Sequence, residues 1–80
     1  MRHRAKPKHL PAKLRAVRNH LGLSQSQLAA QLSFDVENGR ISDYELGKRQ
    51  PNVLILLDYA RLAGIHVDDL IDDDAVLNPR

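Results

Sequence analysis

Residues 24–47 read SQSQLAAQLSFDVENGRISDYELG. A serine followed three residues later by glutamine, ahead of a helically spaced apolar run, marks a helix start. The Ser24 hydroxyl can accept from the Gln27 backbone N–H while the Gln27 amide reaches back to the N–H of Ser24. Leu28, Ala29 and Leu32 then share one face, which predicts a short helix over 25–32. Ile41 and Tyr44 repeat that spacing in a second segment, and Gly47 supplies the left-handed residue that ends it. A loop over 33–39 joins the two. Asn38, Gly39 and Arg40 open the second helix, and Ser42 and Asp43 lie a turn later on the side away from the core. Asn38 is equally suited to be the N-cap of that helix.

Towards the N-terminus, Pro11 fits the first turn of a preceding helix, where its missing N–H would be unpaired anyway, and Leu14, Val17 and Leu21 form one apolar stripe that Gly22 closes. Residues 1–11 have no apolar periodicity and are expected to form a flexible basic arm. Such an arm either enters a minor groove, where arginine is favoured, or only adds non-specific attraction. Towards the C-terminus, Asn52 caps a helix over 53–63 that Gly64 closes, with Val53, Leu56, Leu57, Tyr59, Ala60 and Ala63 as its inner face. Leu54, Ile55 and Leu62 lie elsewhere on it, so either one face packs on a partner or one or two of them are deep core positions. A last helix starts near His66 and turns Val67, Leu70 and Ile71 inward, with Asp68 and Asp69 in its first turn. The tail from Asp72 to Arg80 is expected to be unstructured or bound to a partner.

Eighty residues with 42% hydrophobic content suit one small helical domain. The reading places the domain at 12–72 and an acidic tail at 73–80. No run approaches the roughly eighteen apolar residues of a membrane span, and the basic N-terminus lacks a signal peptide's apolar stretch, so a cytoplasmic protein is expected. With no cysteine, disulfides and thiolate zinc sites are excluded. The net charge of +2 hides a segregation. Arg2, Arg4, Lys6, Lys8, Lys13, Arg15 and Arg18 precede every acid, whereas Asp58, Asp68, Asp69, Asp72, Asp73 and Asp74 crowd the other end. Such a chain presents its first half to a polyanion; the alternative is that both runs are solvated surface.

The ordered series LRAVRNHLGLSQSQLA, ISDYELGKRQP and LLDYARLAGIHVDDLI resembles the Cro and lambda-repressor-like (XRE-type) helix-turn-helix family over Leu14 to Ile71. The resemblance implies an all-α, compact five-helix DNA-binding domain: a cytoplasmic transcription regulator, a repressor, acting as a homodimer on an inverted repeat of double-stranded DNA. It implies base reading by Asn38, Arg40, Ser42 and Asp43, and phosphate contacts from Ser24, Gln25, Lys48, Arg49 and Arg15. Asp43 either accepts from cytosine or braces Arg40. The resemblance also pairs Arg18 with Glu45 as a structural ion pair, and makes the outer end of the last helix the dimer edge. The chain departs from the family in the turn: nine positions separate Leu32 from Ile41, two more than in the family pattern, and Ser33 stands where that pattern has glycine. Phe34, or else Val36, is expected to fill the core position of the turn.

No catalytic constellation is present: the phosphate-binding glycine motif and the His-Glu-x-x-His pair are missing, and His3, His9, His20 and His66 are too scattered to ligate a metal. The chain is therefore read as no enzyme, with no cofactor. A rival reading is a protein-interaction module, such as an antitoxin or adaptor partnered by a toxin or regulator. The apolar surplus of the fourth helix and the acidic C-terminus motivate it.

Overall fold

The computed structural model describes residues 7–33, 36–75 and 77, with Asn38 described by its backbone alone. Those residues form five helices and no strand: α1 (Leu10–Leu21), α2 (Gln25–Gln31), α3 (Asn38–Glu45), α4 (Val53–Ala63) and α5 (Val67–Ile71). The chain folds as the all-α, five-helix class expected from its sequence. The expectations placed on residues 1–6, on Phe34 and on 78–80 lie outside the described residues.

α1 begins one residue earlier than Pro11. Leu10 lies one turn before Leu14 and extends the same apolar stripe, so burying it favours helix at the junction; Pro11, second in the helix, loses no bond because its N–H would be unpaired there. The core runs from Leu10, Leu14 and Val17 through Leu28, Leu32, Ile41 and Tyr44 to Ile55, Leu56, Tyr59, Ala60, Ala63 and Leu70. Each fully buried aliphatic or aromatic side chain contributes about 1.5–3 kcal/mol by leaving water, which is how helices as short as α2 and α5 persist. Leu28, Ile41 and Leu70 are the buried anchors of α2, α3 and α5.

The two-helix stretch is built as its capping residues require. Ser24 Oγ accepts from Gln27 N at 3.1 Å and Gln27 Oε1 from Ser24 N at 2.8 Å. α3 ends in a Schellman-type closure: Lys48 N donates to Asp43 O at 2.9 Å and Gly47 N to Tyr44 O at 3.3 Å, with Gly47 at φ 76°. Asn52 Oδ1 accepts from Ile55 N at 3.0 Å to start α4, and Asp69 Oδ2 accepts from His66 N at 3.2 Å to start α5.

Three details differ from the sequence expectation, and Val36 takes the place that one of its alternatives gave it. The N-cap of α3 is Glu37, in extended backbone, and Asn38 is the first helical residue, so Asn38 is not the cap and Gly39 belongs to the helix rather than the loop. Val36 is half-buried and packs against the core. On α4, Ile55 is core whereas Val53 is 61% exposed: Val53 shares the inner stripe by periodicity but sits at the leading residue, past the end of the packed layer. The start of the tail is held: Lys13 Nζ donates to the carbonyls of Asp69 (2.7 Å), Asp72 (2.7 Å) and Ala75 (3.0 Å), and Asp73 accepts from Lys8 N and His9 N at 3.0 and 3.1 Å.

Candidate nucleic-acid interface

α3 carries a polar outer face because its apolar residues, Ile41 and Tyr44, sit one turn apart and are both buried. What remains on the other side is Arg40, exposed at the third helical position, with Ser42 and Asp43 half-exposed behind it. At Gly39 a side chain would meet nothing within 4 Å, so the leading end of α3 stands in open space.

The other end of α3 is anchored. Glu45 Oε2 accepts from Arg18 Nε at 2.6 Å and Oε1 from Arg18 Nη2 at 2.9 Å, a bidentate pair, while Arg18 Nη1 donates to Leu23 O at 3.0 Å. With side-chain exposures of 15% for Arg18 and 5% for Glu45, this pair links α1 to α3 in a largely dry setting. The bond to Glu45 holds the Arg18 guanidinium above its ordinary pKa. Gln25, at the head of α2, points its Nε2 to Glu45 Oε1 at 3.4 Å. Beneath lies Tyr59, fully buried, whose hydroxyl has no hydrogen-bond partner. Burial pushes its phenol well above the ordinary value, and the Glu45 carboxylate adds to the rise.

The structure distributes the sequence-chosen residues in three groups. Asp43, Lys48 and Arg49 come together where α3 ends. There Asp43 Oδ2 meets Arg49 Nε at 3.4 Å, so its cationic partner is Arg49 rather than Arg40. Both side chains are exposed enough that the pair contributes at most about 1 kcal/mol and can open to a ligand. Ser24 and Gln25 form the head of α2, where Ser24 Oγ is occupied as the cap. Arg15 is exposed on α1, and no hydrogen bond or ion pair among the described residues ties it to α3.

Sequence reading missed three polar contacts. Lys13, counted among the basic residues open to a polyanion, is 9% exposed and committed to the C-terminal carbonyls of α5. Asp58, counted in the acidic run, is buried on α4 and accepts from Ser33 N at 2.8 Å and Ser33 Oγ at 3.0 Å. A lone acid in the apolar run VLILLDYA was the available signal, because buried carboxylates need partners. Asp73, read as solvated terminus, anchors the chain before α1; those two N–H bonds hold its carboxyl below the usual range. Among the described residues, no three His, Asp or Glu side chains are grouped to hold a metal ion, and no helix is long and apolar enough to cross a membrane.

The family model described as helix-turn-helix matches residues 14–70. Among solved structures, the chain is similar to the P22 c2 repressor protein, crystallised in complex with synthetic operator 9T in the presence of Tl+. The likeness has a TM-score of 0.72 and 28% identity, and covers 81% of this chain and 96% of that one. No relative among curated proteins matches.

Proposed function

This chain belongs to the helix-turn-helix family, in its Cro and lambda-repressor-like branch, and we propose that it binds double-stranded DNA sequence-specifically and represses transcription in the cytoplasm as a homodimer on an inverted repeat. The observation that carries the reading is the exposed leading end of α3, with Arg40 exposed at its third position, set on a helix whose far end is anchored to α1 by the Arg18–Glu45 pair. A helix presented in this way enters the major groove N-terminus first. Arg40 then bonds guanine O6 and N7, with Asn38, Ser42 and Asp43 as its co-readers, each good bidentate pair giving about 1–3 kcal/mol of discrimination. Lys48, Arg49, Gln25, Ser24 and Arg15 take phosphates on either side. Two copies on an inverted repeat place half-sites ~34 Å, about 10 bp, apart. The synthetic operator in complex with the similar P22 c2 repressor protein supports a duplex as the partner.

The test is selection of bound sites from random duplexes, followed by titration of Arg40→Ala and Lys48→Ala on the selected and a scrambled duplex. Arg40→Ala should lower affinity for the selected site by about 1–3 kcal/mol and leave the scrambled one nearly unchanged. Lys48→Ala should weaken both alike and flatten the salt dependence of log K by about one unit. Equal loss on both duplexes for Arg40→Ala contradicts its role as reader.

A second reading draws on a separate feature. Leu46, Val53 and Leu54 are 64%, 61% and 51% exposed, large apolar side chains flanking the α3–α4 loop. They suit the protein-interaction alternative, an antitoxin or adaptor, and gel filtration of the purified chain with the neighbouring gene product distinguishes it.

A further inference from the structure

The connection between α2 and α3 is where this chain departs most from its family pattern, and it is also where a buried charge from a distant helix is spent. Asp58, in the middle of α4, is 6% exposed. Its Oδ2 accepts from the backbone N–H of Ser33 at 2.8 Å and its Oδ1 from the Ser33 hydroxyl at 3.0 Å. Ser33 is the first residue beyond Leu32, the C-cap of α2, and so the residue from which the elongated turn departs. α2 ends with Leu32 in extended backbone, whose N–H makes only a 3.4 Å bond to Ala29 O, so the helix supplies no tight closure of its own there. The carboxylate closes it instead. It holds both the direction of the backbone and the side chain at one point.

We propose that Asp58 is a positioning residue for DNA discrimination: by fixing Ser33 it sets the angle and depth at which the leading end of α3 is offered to base edges. This rests on the DNA-binding reading above. α3 is tied to α1 at its C-terminal end through Glu45, and its N-terminal end hangs from the turn, supported by Val36 against the core. Ile41 and Tyr44 in the core and the Arg18–Glu45 pair hold the body of α3, so what the anchor at Ser33 adds is the bearing of the residues ahead of Ile41. Base-edge hydrogen bonds lose strength steeply with displacement and misalignment, whereas attraction to phosphates tolerates both. Loosening Ser33 therefore acts on discrimination more than on affinity. Asp58 touches no base and works only through the turn.

The experiment compares the wild-type chain with Asp58→Asn, Asp58→Ala and the milder Ser33→Ala, which keeps the backbone bond and removes only the hydroxyl. Each is titrated on the duplex selected by the wild type and on a scrambled duplex at one salt concentration, beside backbone amide exchange. The expected result is a selected-to-scrambled affinity ratio reduced about tenfold in Asp58→Ala and less in Ser33→Ala. Scrambled-duplex affinity should stay within about twofold, and exchange should quicken at residues 36–40 with α1 protection kept. The proposal is overturned if the ratio is unchanged in variants that fold, or if Ser33→Ala loses affinity for both duplexes in equal proportion. Wild-type protein that binds no duplex at low salt overturns the DNA-binding reading itself, a different outcome from wild-type discrimination that the variants retain.

Discussion

The Glu45 carboxylate accepts from Arg18 Nε and Nη2 and, at longer range, from Gln25 Nε2, so one side chain of α3 is tied to both preceding helices. Removing one member of a pair this dry strands the other as an unpaired charge, and Glu45→Ala should destabilise the domain by about 3–5 kcal/mol in urea unfolding. Tyr59 presents the opposite case. Its hydroxyl is buried without a partner, so Tyr59→Phe should leave stability unchanged or raise it by about 1 kcal/mol, because the variant keeps the ring and discards the unsatisfied group. Asp73 gives a pH signature. Its carboxyl is held below the usual range by Lys8 and His9 N–H groups, so its stabilising contribution is present above the ordinary carboxylate pKa and vanishes as pH falls through the lowered folded value. Asp73→Asn should therefore be less stable than wild type at neutral pH and equal to it at strongly acidic pH in parallel thermal melts. Of these residues, the sequence exposed the Arg18–Glu45 pair through family likeness, since a long cation beside an apolar stripe needs a partner. The roles of Asp73 and of the unpaired Tyr59 hydroxyl depend on groups far along the chain that no local spacing reveals.

Helix ends were the most legible elements, because a cap and its target lie three residues apart: Ser24 with Gln27 and Asn52 with Ile55 stand in the structure as their spacing requires. The less legible ends are those closed from afar. α5 has only five residues and cannot persist alone; its C-terminal carbonyls are gathered by Lys13 Nζ from 56 or more positions away. Lys13→Met, which keeps the aliphatic stem and removes the ammonium, should speed amide exchange across 69–75 while leaving α2 and α3 protected. A lysine in a basic stretch reads as solvated, and nothing in its neighbours separated it from Arg15, which is exposed. The same limit applied to α4. Its all-round apolar sequence left open a partner-packed face or one or two deep extra positions; Ile55 is a deep position, whereas Leu54 is 51% exposed. Whether Val53 was also inside depended on how far the packed layer extends past the first turn, which periodicity does not encode.

At the scale of the whole molecule, the fold partly undoes the segregation of charge along the chain, because the basic start of the described residues packs against the acidic end. Lys13 is withdrawn into the fold and Arg18 is neutralised by Glu45. Of the described cations assigned to DNA, Arg15, Arg40, Lys48 and Arg49 remain exposed on α1, α3 and the loop after it. If these meet a duplex, affinity must carry both a salt-dependent phosphate component, with log K falling by about 0.9 per log unit of salt for each phosphate neutralised, and a sequence-dependent component from the leading end of α3. The most direct measurement is a titration of the purified chain on its selected duplex and on a scrambled one at ~50 and ~200 mM salt, the range over which phosphate contacts are read out. The expected result is binding of both at low salt, parallel weakening with salt, and a selected-to-scrambled preference that survives at the higher concentration. Absence of binding at low salt, or equal affinity for the two sequences at both concentrations, would contradict the claim that α3 reads DNA.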